Sequence, residues 1–157
     1  MIQHIATFVL ICGTLALSSV LARADDHGCE QDNAPVRFVA YDILIDAGNA
    51  ELGAYQIDIR DNARASKVVG VEAGAHKAFA DKPPYYDPKA LNNEGRIVLA
   101  AYSTAEELPT GKTRVARLHM QVCGDVDADF ELDLIVAADA DGQPITATAT
   151  ATPAEGK

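Results

Sequence analysis

Apolar and polar residues alternate along most of this chain, and that period of two constrains its fold more than any other feature. The alternation is clearest between Gly53 and Gly74. Tyr55, Ile57 and Ile59 fall on one side of an extended segment, and Gln56, Asp58 and Arg60 fall on the other. A polar connection, residues 61–66, leads into the valine-rich run 67–71, which stops at Ala73 and Gly74. Successive side chains of a strand point to opposite faces, so each such segment offers one apolar face that must be covered. A strand–turn–strand block of this kind is expected at one edge of an antiparallel β-sandwich.

The rest of the chain repeats the pattern. Val39, Tyr41, Ile43 and Ile45 form one apolar face, and Asp46 to Asn49 form a turn. Ile97, Leu99 and Ala101 alternate with Val98, Ala100 and Tyr102, so both faces are apolar and a central strand is expected. Ala116, Leu118, Met120 and Val122 oppose Val115, Arg117, His119 and Gln121. Phe130, Leu132, Leu134 and Val136 alternate with acidic residues and Ile135, and Asp141-Gly142 turns the chain into a last strand of alternating alanine and threonine. No stretch keeps a 3.6-residue period over three turns. One helical turn is expected at residues 103–108, capped by Ser103 or Thr104 with Glu106 and Glu107 in its first turn. About seven or more strands without long helices predict an all-β, antiparallel sandwich. No internal repeat or linker divides it.

Residues 5–21 are uncharged and apolar or small, and Ala22-Arg23-Ala24 follows in a small-x-small pattern. This predicts a secretory signal peptide, residues 1–24, cut after Ala24. The alternative is a membrane anchor, although the run of about 17 residues is at the lower limit for spanning a bilayer. Membrane attachment is thus expected only through an uncleaved signal. One domain, residues 25–152, would follow, with a frayed tail at residues 153–157. The protein is expected to be secreted or periplasmic.

The formal net charge is −10, and loss of Arg23 with the signal makes it one unit more negative. A surface this acidic repels nucleic acid and anionic lipid. Cys29 and Cys123 remain after cleavage, and an even pair in an oxidising compartment predicts a disulfide. Closing so long a loop stabilises by about 4–5 kcal/mol in the chain-entropy model. Two free buried thiols are the alternative.

Residues 72–95 form the candidate site. They are too long and too unusual for a simple connection. His76, Phe79, Pro83, Pro84, Tyr85, Tyr86, Asp87 and Pro88 lie there. Prolines restrict the loop, so aromatic rings held on it lose little entropy on binding. Tyr85, Tyr86, Pro84 and His76 are the candidate binding residues. The competing reading is that Phe79 and the tyrosines form the loop's own small core. Phe79, between Ala78 and Ala80, is expected to be buried, and at least one of Tyr85 and Tyr86 exposed.

Asp125, Asp127, Asp129, Glu131 and Asp133 alternate, with Asp139 and Asp141 following. Carboxylates so placed can hold calcium, but the EF-hand spacing is missing and a solvated acidic face is expected. His27, His76 and His119 lack metal-ligand spacing, so no metal and no cofactor is expected. Ser66 and Ser103 sit in no nucleophile motif, so no catalytic residue is assigned and the chain is not expected to be an enzyme.

Three blocks resemble the cohesin-like domains of the carbohydrate-binding (CBM2/CBM3-type) superfamily. They are residues 54–59 running to 68–74; residues 95–103, then Gly111 and residues 115–122; and residues 133–136, then Asp141-Gly142-Gln143-Pro144-Ile145. The resemblance implies a jelly-roll sandwich of about nine strands. It also implies a non-catalytic binding module whose partner is an exported protein, in known members a dockerin module. A carbohydrate-binding module recognising polysaccharide is the alternative, weakened by the absence of tryptophan. No binding residue is carried over from the family.

Overall fold

Residues 35–91, 95–125 and 127–155 are described by the structure, a computed structural model. β1 (Val36–Asp46) turns Val39, Tyr41, Ile43 and Ile45 inward, as its alternation dictates. β2 (Ala54–Asp61) does the same with Tyr55, Ile57 and Ile59. β3 (Ser66–Glu72), β4 (Arg96–Tyr102), β5 (Lys112–Cys123), β6 (Phe130–Ala138) and β7 (Thr148–Pro153) complete the described strands. They form a four-stranded sheet in the order β3-β5-β1-β7 and a three-stranded sheet in the order β4-β2-β6. Among the described residues all ladders between these strands are antiparallel, and none of the seven strands forms a ladder with the one that follows it.

The inner faces of the two sheets close on each other and exclude water from Ile43, Ile57, Leu99, Leu118 and Met120. Tyr41 meets Phe130 edge-on at 4.8 Å, joining the sheets at one end. The register shift between Ile43 and Leu44 leaves Val115 as an extra residue of β5. Val115 and Ala116 are therefore both buried, whereas simple alternation puts Val115 outside. The Tyr55 hydroxyl donates to the Val115 carbonyl at 3.1 Å, and burial pushes its ionisation well above the ordinary tyrosine value.

The structure corrects several expectations. Seven strands are present among the described residues, not nine. β2 and β3, adjacent in sequence, lie in opposite sheets, so the block between Gly53 and Gly74 is a crossover. Asp61 fastens it: its buried carboxylate accepts from Ser66 Oγ and from the amides of Ala63 and Asp129. β4 is the outer named strand of its sheet, and on its outer face Val98 and Ala100 are half-buried while Tyr102 is exposed. The helical turn at residues 103–108 is absent. Ser103 instead accepts from the Ala105 amide, while its own amide bonds Gly53 and the Pro109 carbonyl bonds Leu52. Those distant partners pin both ends of the segment to the residues before β2. The helical turns lie in the long loop, as α1 (Lys77–Ala80) and a 3-10 turn (Pro88–Ala90). At the other terminus β7 includes Pro153, and the Ala154 amide donates to Ala40, so the start of the expected tail is held by the sheet.

The signal segment and Cys29 lie outside the described residues. Cys123 ends β5 opposite Val36. Among the described residues no helix is long and apolar enough to cross a membrane.

Candidate binding face

The long loop is built on Phe79. The Gly74 amide donates to the Phe79 carbonyl, and the Ala75 amide donates to Arg114 on β5. A Cβ on Gly74 would stand 2.9 Å from the Arg114 carbonyl oxygen, which is why a glycine fits there. His76 precedes α1, and its Nδ1 accepts the Ala78 amide at 3.2 Å. This cap turns Phe79 inward, 6% exposed, with its ring edge-on to Tyr55 at 5.4 Å.

Two prolines then straighten the chain, and Pro84 is itself buried. The Tyr85 amide donates to Ala100 at 2.8 Å, and the Ala100 amide donates back at 2.9 Å. Tyr85 is thereby a one-pair fourth strand beside β4. Directly paired residues share a face. Ala100 lies on the outer face, so the Tyr85 ring does too, and it is 78% exposed. Tyr86 takes the opposite direction and packs half-buried against the core. Asp87 caps the following 3-10 turn by accepting the Lys89 amide.

Tyr102, two residues beyond Ala100, is 77% exposed on the same face. Diagonal neighbours across a ladder have Cα atoms about 7–8 Å apart, within reach of tyrosine rings. Val98, Ala100, Gln56 and Val136 continue the surface across β4, β2 and β6. The register shift at Gln56 leaves Ile135 unpaired and exposed beside them. A cleft of about 510 Å³ borders the two tyrosines between the loop and Ser103.

The other half of the face is charged. Asp58 sits at its centre, yet it is only 3% exposed because Arg96 and Arg60 cover it. Arg96 grips both carboxylate oxygens at 3.0 and 2.8 Å, and Arg60 reaches one at 2.6 Å. The hydrogen bonds from Arg96 hold the Asp58 carboxyl below its ordinary value, against the opposing effect of burial. Glu131 and Asp133 stand exposed alongside on β6. The whole surface is thus half aromatic and aliphatic, half arginine and carboxylate. The outer face of the other sheet differs. Asp42 is shared by Arg117 and Arg114, and Glu72 pairs with His119, so its charges are largely spent on one another.

Of the four candidate binding residues, Tyr85 alone stands freely on this face. Pro84 positions it, His76 caps the helix behind it, and Tyr86 packs inward. Tyr102 was missed. Its signal was the apolar outward set Val98, Ala100 and Tyr102, which suggested a central strand. The acidic run does not converge. Asp127 pairs with Arg37, Asp129 lends its amide to Asp61, and Asp139 accepts the amides of Asp141 and Gln143. Among the described residues no group of three or more His, Cys, Asp or Glu is placed to hold a metal.

No family model and no curated protein matches the chain. Among solved structures, a chain from the crystal structure of a cohesin–dockerin complex at pH 5.5 superposes with a TM-score of 0.55. The match covers 73% of this chain and 85% of that one, at 17% identity. The fold is a cohesin-like β-sandwich. In this cohesin-like frame, the Tyr85–Tyr102 face is the outer surface of the smaller sheet.

Proposed function

We propose that this protein is a non-catalytic, exported recognition module that binds another protein through the outer face of β4, β2 and β6. The observation that carries the reading is that two exposed tyrosines, Tyr85 and Tyr102, share the apolar half of one sheet face. Exposed large rings on a rigid sheet are costly to leave in water and gain most from being covered. Arg60, Arg96, Glu131 and Asp133 supply charges of both signs beside them, suited to fixing a partner's orientation. A dockerin-like module is the partner proposed, supported by the similarity to a cohesin fold. Secretion or a periplasmic location, and a Cys29–Cys123 bond, belong to the same proposal.

The test is calorimetric binding to a panel of purified dockerin modules, with a glycan array in parallel. Saturable binding to a dockerin is expected. Replacing both Tyr85 and Tyr102 by alanine should weaken it by about thirtyfold or more, as for central aromatic anchors. Binding that survives the double substitution would move the site elsewhere. Binding to polysaccharide alone would replace the protein-partner reading with the carbohydrate one.

A further inference from the structure

A sheet edge is a template for pairing with another chain, and proteins guard their edges with charges, bulges or covering segments. Among the described residues, three of the four edges here are guarded. β3 carries Lys67 and Glu72 and is bulged between Val68 and Gly70. β6 carries Glu131 and Asp133 and is irregular at Ile135. The edge of β4 is occupied by Tyr85. Among the described residues β7 carries no charge, bulge or cover, and its one edge guard is Pro153 at its last position. Its register with β1 is regular, and no charged residue lies between Asp141 and Glu155.

The register also decides which backbone groups are free. The Ala154 amide bonds the Ala40 carbonyl directly opposite it. Bonded pairs alternate along an antiparallel ladder. Thr148, Thr150 and Thr152 therefore bond β1, and the N–H and C=O groups of Ala149 and Ala151 point away from the sheet. Pro153 falls in the outward phase, where its missing N–H costs β1 nothing.

We propose that β7 is a homotypic edge, at which two copies of this chain pair antiparallel with Thr150 on the two-fold axis. Ala149 of each copy then exchanges both backbone bonds with Ala151 of the other. Thr148 lies opposite Thr152, and Thr150 lies opposite its own copy. The next bonded position sets the Ala147 amide against the Pro153 carbonyl, which demands nothing of the proline nitrogen. Thr faces Thr outside and Ala faces Ala inside, so the strand complements itself, as a two-fold interface requires. Charge at the seam permits this occupant. Two copies of a chain with net charge −10 repel broadly, and this seam brings no carboxylate to the contact. The Tyr85–Tyr102 face lies on the other sheet, so the dimer leaves two such faces open and is bivalent.

Sedimentation velocity across a concentration series, with amide hydrogen exchange by NMR, tests the pairing. Dimer should accumulate with concentration. Protection of the Ala149 and Ala151 amides should rise in step, while those of Thr150 and Thr152, already bonded to β1, stay constant. Thr150→Lys sets like charges together on the axis and should weaken the dimer at least about tenfold, with melting unchanged. A protein that is monomeric up to about 1 mM overturns the proposal. So does a dimer indifferent to Thr150→Lys, or protection at those alanines that appears only with a different added protein. The exchange measurement needs no substitution, so it stands even where the variant folds poorly.

Discussion

Truncating the three aromatic residues of the long loop separates what holds it from what it displays. Phe79 is 6% exposed and sits edge-on against Tyr55. Phe79→Ala removes a buried ring and leaves a cavity under α1, a change that costs about 3–5 kcal/mol, the aromatic pairing included. Tyr85 holds β4 through its backbone, and alanine keeps both of those bonds. Its ring is 78% exposed, so Tyr85→Ala should change stability by no more than about 0.5 kcal/mol. Tyr86, half-buried, should fall between, at about 1–2 kcal/mol. In urea, with a slope near 2 kcal/mol per molar, Phe79→Ala should lower the midpoint by about 2 M and Tyr85→Ala by about 0.2 M at constant slope. Partner binding should show the reverse ranking, with Tyr85→Ala the more damaging of the two. Equal, large losses of stability at Phe79 and Tyr85 would refute the argument, because Tyr85 would then belong to the loop's own core.

Asp58 has a folded-state acidity held below its ordinary value of 3.8, so its stabilising effect is full above about pH 5 and is lost as pH falls through the folded value. Arg96→Gln should flatten that acid limb in a stability–pH series, and an unchanged limb would remove the clamp from the explanation. Intact mass under non-reducing conditions should lie about 2 Da below the dithiol form if Cys29 and Cys123 are joined, whereas two alkylatable thiols in native protein would count against the bond. Chelator should leave the melting temperature unchanged, and a large drop restored by calcium would show that the acidic run holds an ion. A Cβ on Gly53 would stand 2.5 Å from the Asp139 carbonyl oxygen, so Gly53→Ala should cost about 1–3 kcal/mol in chemical denaturation.

The inward faces of β1 and β2 were legible because burial on one side leaves a strict period of two in Val39, Tyr41, Ile43, Ile45, Tyr55, Ile57 and Ile59. Strand pairing was not legible, because β1 finds β5 and β7 while β2 finds β4 and β6, and no local turn encodes such distant partners. The bulge that buries Val115 reverses its face and leaves no mark in a simple alternation. The loop announced itself through its prolines and tyrosines, and the opposite directions of Tyr85 and Tyr86 followed from extended geometry alone. Tyr102 did not, because an apolar outward face looks the same in sequence whether a neighbouring layer or a partner is meant to cover it.

The absence of any pairing between consecutive strands has a consequence for how the molecule comes into being. A hairpin can form as soon as its two arms exist, and the described residues offer only a short one, where the end of β6 turns back so that Ala138 pairs with Pro144. During synthesis β2 must wait for β4, and β1 must wait for β5, before either gains a neighbour. The first strand gains its second neighbour only when Thr148–Pro153 has emerged. Each ladder therefore closes a long loop of unfolded backbone before it is rewarded, which places folding on the slow, millisecond-to-second side of small domains. The segments that precede β4 therefore leave synthesis without a sheet neighbour, and the four-stranded sheet cannot begin to assemble until β5 exists.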